Sequence, residues 1–396
     1  MADREVVVVS AVRTAVGKYG GSLKDVPPTE LGAIVVREAT KRARVEPDAV
    51  GHVVFGNVIH TEKRDMYLSR VATVNGGLGV TTPAVTVNRL CGSGMQAIVS
   101  AAQLIKLGDA DITLAGGTES MSRGLYGLPG LRWGQRMGDA QAQDMMVGAL
   151  TDPFDDCHMG VTAENVAGKW DVSRQDQDEL AATSHKRAAE AIKNGYFDDQ
   201  IVPVDVKQKR ETVQFATDEG VRADIDPDKM AKLKPIFAKD GSVTAGNAAS
   251  INDAAAAVVL MERGTAEQRG LQPLGRLLSY GFAGVEPRYM GVGPTPAIKT
   301  ALDRAGLTVQ DMDVIELNEA FAAQAIAVMR DLKLPPEKVN PNGSGISLGH
   351  PIGATGCILT VKAMYELQRT GGRYALVSMC IGGGQGIAAV FERFAA

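Results

Sequence analysis

Cysteine is scarce in this chain of 396 residues. The four present, Cys91, Cys157, Cys357 and Cys380, lie far apart and form no C-x-x-C pair, which excludes a disulfide framework or a structural zinc cluster as the organising device. Adjacent Cys157 and His158 are too few ligands for a metal, and none is expected. Long apolar runs are missing too. The longest, Ala254–Met261, is far below the roughly 20 residues a bilayer crossing requires. Nor is there an excess of positive charge: Lys plus Arg against Asp plus Glu gives 42 − 46 = −4, without the broad field of a nucleic-acid or anionic-membrane binder. The N-terminal tip passes straight into Val6–Val9 with no apolar export segment, and the last residues form no peroxisomal tripeptide. The expectation is a cytoplasmic protein with no nucleic-acid and no membrane partner.

Glycine, by contrast, is abundant at 45 residues, beside only 22% charged residues, the composition of a tightly turned globular chain. The length predicts two or three folded units. β-branched runs alternate with alanine-rich stretches: Val6–Val9, Glu30–Ala43, His52–Phe55, Val85–Asn88, Cys91–Leu107 and Ile112–Ala115. This is βαβ grammar, and it predicts a mostly parallel sheet covered on both faces. Met95, Ile98, Val99, Ala102 and Ile105 follow helical spacing with little charge before Lys106, so the helix after Cys91 is expected to be buried. The same grammar returns as Ala297–Ala305, Val314–Leu317, Thr355–Gln368 and Tyr374–Ser378. Pairing Val53 with Ile315 and Thr113 with Ala375 gives one offset, 315 − 53 = 375 − 113 = 262, which points to a duplication. From about Ser120 to Gly246 the alternation is lost and an insertion is expected. It should hold a helix with Ser173 and Asp176 as a capping box and Gly195 after the last turn. Such a segment is a natural place for substrate-binding surface.

Three short segments carry candidate chemistry. Cys91 lies in NRLCGSG, where a strand gives way to a long helix. The positive helix end and free N–H groups there would stabilise a thiolate and lower the thiol pKa, and Gly92 and Gly94 would let a reacting group approach the backbone. Cys380 lies in SMCIGGGQG, which reads locally either as an oxyanion site of backbone N–H groups or as a glycine-rich turn with an incidental thiol. His350, among glycines at a loop–helix junction, suits proton transfer near neutral pH. Asn318, in ELNEAF, ends the strand that corresponds to Val53–Phe55 and reads locally as a helix N-cap or a functional amide.

Together NRLCGSG, NEAFAAQ with GHPIGATG, and CIGGGQG closely resemble the signatures of thiolases. The similarity spans essentially the whole chain, including GNVI at 56–59, GGTESMSR at 116–123 and HMGVTAENVA at 158–167. It is strongest toward bacterial acetyl-CoA acetyltransferases and β-ketothiolases. The resemblance implies an α/β fold with a five-layered α/β/α/β/α core of two duplicated halves and an inserted loop domain. Residues 1–120 and 247–270 would form the N-terminal half, 121–246 the loop domain for coenzyme A binding and tetramerisation, and 271–396 the C-terminal half. It also implies a homotetramer, with coenzyme A as substrate or product and no tightly bound cofactor.

On that resemblance Cys91 takes an acyl group from acyl-CoA or 3-ketoacyl-CoA with ping-pong kinetics, His350 activates it, and Cys380 exchanges a proton with the substrate α-carbon. One oxyanion hole is implied at His350 and a water held by Asn318, another at the backbone N–H groups of Cys91 and Gly382. Arg222 is implied near the adenine, with Leu233 and Phe237 close by. His158, Met159, Ala245, Ala248, Met290, Ala320 and Phe321 would line the pantetheine and acyl region. One position departs from the family pattern. Where many members have serine this chain has Ala249, and the hydroxyl follows at Ser250, which either takes over a pantetheine contact or leaves it unmade. The implied reaction is reversible Claisen condensation of acetyl-CoA with acetyl- or short acyl-CoA, and thiolysis of 3-ketoacyl-CoA. The alternatives are a longer-chain degradative thiolase, a decarboxylating ketoacyl synthase with a Cys-His-His set, and a non-catalytic acyl-CoA-binding protein. Only one of the five histidines stands in a catalytic motif, which disfavours the synthase.

Overall fold

The computed structural model describes residues 4–394. Met1–Asp3 and Ala395–Ala396, on which the expectations about targeting signals partly rest, lie outside the described residues. The first half runs β1 (Val6–Thr14), α1 (Pro28–Ala43), β2 (His52–Gly56), α2 (Leu68–Asn75), β3 (Ala84–Val87), α3 (Ser93–Leu107) and β4 (Ile112–Ser120). An irregular stretch follows that contains α4 (Met159–Lys169) and α5 (Arg174–Lys193), before β5 (Asn252–Glu262). The second half runs β6 (Gly275–Gly284), α6 (Pro294–Ala305), β7 (Val314–Leu317), α7 (Ala322–Leu332), α8 (Ile352–Thr370), β8 (Tyr374–Ile381) and β9 (Gln385–Glu392). The capping box on α5 forms as expected: Ser173 Oγ accepts from Asp176 N and Asp176 Oδ2 from Ser173 N, both at 3.1 Å.

The strand order is β7-β8-β9-β6-β1-β5-β4-β2-β3. The half-sheets meet where β1 faces β6, through only two residue pairs, Val7 with Arg276 and Val8 with Gly275. Outward from that seam the order β1, β5, β4, β2 is repeated as β6, β9, β8, β7. Val53 stands opposite Leu114 and Ile315 opposite Leu376. Since 376 − 114 = 315 − 53 = 262, the offset read from the sequence is the register of the duplication.

The sheet is mixed, not mostly parallel. β2 pairs parallel with β3 and β4, and β7 with β8. β5 is antiparallel to β1 and β4, and β9 to β6 and β8. β9 follows β8 through Gly382–Gly384, with φ of +78° at Gly383 and +83° at Gly384. So tight a hairpin leaves no crossover, and the pair must be antiparallel. In β5, Ala254, Ala256, Val258 and Leu260 point into one core, Ala255, Ala257, Val259 and Met261 into another. That period of two is a strand buried on both faces, despite alanines that favour helix.

Those cores define the layers. α1 and α2 cover the outer face of the first half-sheet, and α6 and α7 the outer face of the second. Between the sheets lie α3 and α8, packed through Ile98, Ala102, Ile358 and Leu359. The result is the five-layered α/β/α/β/α arrangement. Gly94 and Gly356, themselves 356 − 94 = 262 apart, let the central helices touch: a Cβ at Gly94 would collide with the Cys357 nitrogen, and one at Gly356 with the Met95 nitrogen. Met95, Ile98, Val99, Ala102 and Ile105 are wholly buried, as their spacing predicts. Among the described residues no helix is long and apolar enough to cross a membrane.

Candidate active site

Both central helices begin at one cleft. Cys91 lies just before α3, whose N-cap is Gly92, and His350 two residues before α8. The cleft has a volume of about 430 Å³. Cys91, His350, Cys380 and Gly382 all reach it, as do His158, Met159, Arg222, Phe237, Ala245, Ala248, Ala249, Ser250, Met290, Ala320 and Phe321. Two candidates do not. Leu233 lies outside and is 37% exposed. Asn318 is fully buried beside His350. It is not a helix N-cap, because α7 starts only after Phe321; its N–H donates to the Ser378 carbonyl at 2.9 Å. Sequence reasoning missed Leu90, Leu150, Ile236 and Ile251 in the wall, since an aliphatic residue there carries no chemical signature.

The backbone N–H groups of Gly382 and of Cys91 itself favour the thiolate. Even so the Cys91 pKa is pushed up to about 11, because desolvation outweighs those two groups and the Glu119 charge adds to it. This overturns the expected lowering: a helix end stabilises a thiolate only as far as burial allows. Burial also raises the Cys380 thiol, and the nearby Cys91 sulfur raises it further. His350 is 7% exposed, and burial lowers its pKa to about 4. At neutral pH the resting site therefore holds two thiols and a neutral imidazole, with no thiolate–imidazolium pair.

The histidine is held from several sides. Its backbone N–H donates to Asn252 Oδ1 at 2.8 Å, an atom that also accepts from Ser250 Oγ at 3.0 Å. Its Nδ1 lies 2.7 Å from Thr355 Oγ1. The Thr355 hydroxyl donates to the Pro351 carbonyl at 3.1 Å, so toward the ring it can only accept. Nδ1 then carries the proton and Nε2 the lone pair. Asn318 Nδ2 lies 3.3 Å and 3.4 Å from the two ring nitrogens, and its buried Oδ1 has no partner.

On the insertion side, the rings of His158 and Phe237 stack with centroids 4.7 Å apart at 12°. His158 Nδ1 accepts the Gly160 N–H at 3.0 Å and caps α4. Burial lowers its pKa, which leaves a neutral ring with Nε2–H as a donor. Met159, Met290, Ala320, Phe321 and Cys380 share one apolar cluster with Phe237 and Ala248. The Arg222 backbone N–H is held by His185 Nδ1 at 3.1 Å. Among the described residues no group of three or more His, Cys, Asp or Glu is placed to hold a metal.

The cleft is lined mostly by apolar side chains, with a few polar groups and the two thiols among them, the make-up of a small-molecule site. The family model described as "Thiolase, N-terminal domain" matches residues 6–264, and that described as "Thiolase, C-terminal domain" matches residues 271–393. Over 391 residues, 98% of this chain and 99% of its relative, the sequence is 68% identical to Beta-ketothiolase BktB of Cupriavidus necator. It is 49% identical to an acetyl-CoA acetyltransferase of Chromobacterium violaceum over 98% of this chain and 100% of the relative. Among solved structures, the Bacillus anthracis acetyl-CoA acetyltransferase superposes with a TM-score of 0.97 at 47% identity, covering 99% of this chain and 100% of that one. Human mitochondrial 3-ketoacyl-CoA thiolase in complex with CoA gives 0.96 at 43%, covering 99% and 98%. On sequence and fold together, the chain belongs to the thiolase family.

Proposed function

We propose that the protein is an acyl-CoA:acetyl-CoA C-acyltransferase, a β-ketothiolase that works through an acyl-Cys91 intermediate. One observation carries this reading: Cys91, His350, Cys380 and Gly382 meet in one cleft, with the two sulfurs close enough for charge on one to oppose charge on the other. In thiolysis, His350 Nε2 takes the Cys91 proton as the sulfur attacks the keto carbon of 3-ketoacyl-CoA. The bond between that carbon and the α-carbon breaks, and its electron pair stays on the departing acetyl-CoA as an enolate. Cys380 supplies the proton that turns the enolate into acetyl-CoA. The thiol of a second CoA gives its proton to the Cys380 thiolate as it attacks the acyl-cysteine, acyl-CoA leaves, and the His350 imidazolium returns its proton to the Cys91 sulfur. Condensation runs the same steps backward. Because the resting thiol and imidazole are both neutral, the Cys91 proton moves during attack rather than before it.

The Gly382 and Cys91 N–H groups, which favour negative charge at the sulfur, are proposed to hold the thioester oxygen as it gains charge. His350 and a water on Asn318 would hold the enolate oxygen. Removal of one such donor costs roughly 2.7–4 kcal/mol of barrier. The relative solved with CoA supports coenzyme binding, with Arg222 and Phe237 toward the nucleotide and His158, Met159, Ala248, Met290 and Phe321 along pantetheine. Ser250 already donates to Asn252, so the hydroxyl that Ala249 lacks is not simply moved.

The reading assigns 121–246 as the insertion that carries coenzyme binding and assembly into a homotetramer. Trp133 at 89% and Met137 at 88% exposure, with edge strand β3 paired only to β2, support an assembly. Bacterial relatives support a cytoplasmic place of action.

Intact-protein mass spectrometry after mixing with acetyl-CoA tests the core of the proposal. Wild type and Cys380→Ser should gain one acetyl group, Cys91→Ala none, and Cys380→Ser should fail to make acetoacetyl-CoA. Wild-type turnover by Cys91→Ala would overturn it.

A further inference from the structure

We propose that Glu119 is a positioning residue of this site, a buried carboxyl side chain that clamps the turn beneath Cys91 to the turn that carries His350. This deepens the β-ketothiolase reading and rests on it for its kinetic arm alone.

Glu119 lies at the end of β4 and is fully buried. Its Oε1 accepts from Asn57 Nδ2 and from Ile59 N, each at 3.0 Å. Its Oε2 accepts from Val58 N at 3.1 Å and from Gly353 N at 2.9 Å. Residues 57–59 follow β2, whereas Gly353 lies in the first turn of α8, three residues after His350. One side chain thus ties together segments from the two halves of the fold. The approach is so close that a Cβ at Gly353 would overlap Glu119 Oε2. Cys91 packs against the cluster formed by Ile59 and Ile352, so the wall beneath the sulfur includes a residue the carboxylate holds and the neighbour of another.

All four partners are N–H donors. A proton on the carboxyl would face no acceptor, and the pocket is built for the anion. Burial works against it and pushes the acid up to about 8, with Asp253 of β5, itself raised to about 6, adding repulsion. That is still below the value of about 11 at Cys91. Glu119 is therefore charged whenever Cys91 titrates. The other groups about the thiol are Cys380 of β8, which keeps its proton, and the neutral ring of His350. In the alkaline range where Cys91 titrates, the ionised carboxyl adds its repulsion to the burial that already holds the proton on the sulfur.

The test uses the full-length protein, and its first arm needs no substrate. Iodoacetamide labelling of the Cys91 peptide is followed by mass spectrometry from neutral to alkaline pH. In Glu119→Gln the labelling midpoint should fall by roughly one pH unit, whereas Glu119→Asp, which keeps the charge, should hold the wild-type midpoint. The shorter Asp cannot reach all four donors, so its kcat for thiolysis should fall about tenfold or more with KM changed less than about twofold. An unmoved midpoint in Glu119→Gln overturns the charge effect, and wild-type kcat in Glu119→Asp overturns the clamp. If Glu119→Gln does not fold, the Asp variant decides the matter. A protein inactive in thiolysis whose midpoint still shifts would refute the proposed function and leave the charge effect standing.

Discussion

At the scale of single residues, the histidine next to the proposed nucleophile is set by a threonine. Thr355 Oγ1 spends its own proton on the Pro351 carbonyl and so fixes which ring nitrogen of His350 is basic. Thr355→Val has nearly the same shape but leaves Nδ1–H buried without an acceptor, a loss worth about 1–3 kcal/mol. Steady-state thiolysis should show kcat reduced by roughly 5- to 100-fold with little change in KM, and Thr355→Ser should restore it. The residues proposed to react stood out in the sequence because thiol, imidazole and amide lay among glycines at the ends of predicted elements. Thr355, Asn252 and Glu119 were not, because a threonine on a helix or a glutamate on a strand has an ordinary local context and takes its role from a partner distant in sequence. The sign of the Cys91 shift was illegible for a related reason: it depends on how much protein surrounds the sulfur, which no motif records.

Among elements, the contact that places the site is the one between β4 and α8. Gly117 lies in β4, and a Cβ there would overlap the Gly353 carbonyl. Neither strand nor helix can retreat without moving His350. Gly117→Ala should therefore lower stability in urea unfolding by about 1–3 kcal/mol and depress activity as well. Gly168→Ala, on an exposed turn of α4 with open space about it, should be neutral or stabilise by up to about 1 kcal/mol. Elements with clear helical spacing or β-branched runs were legible, as was the cap on α5. β5 was not, because its alanines carry no strand propensity and only two covering layers of helix make such small side chains fit. The missing β5 and β9 are also what turned a mixed sheet into an expected parallel one.

For the molecule as a whole, the duplication was legible in one constant offset, whereas the number of chains in the assembly has no comparable trace. The proposed tetramer would bury the exposed apolar tip of the insertion. Replacing Trp133 and Met137 together by Ser should reduce the mass in light scattering from four chains to two while the fold is kept; an unchanged mass would place the contacts elsewhere. The shift of 262 also has something to say about the chemistry. It carries Cys91 onto Gly353 and Glu119 onto Ile381, since 353 − 91 = 381 − 119 = 262. Glu119 stands behind Gly353, and its image Ile381 packs beside Gly92, next to the sulfur. The two equivalent helix starts thus serve different ends: at one a sulfur sits beside hydrocarbon, and at the other a bare backbone N–H anchors the Glu119 side chain.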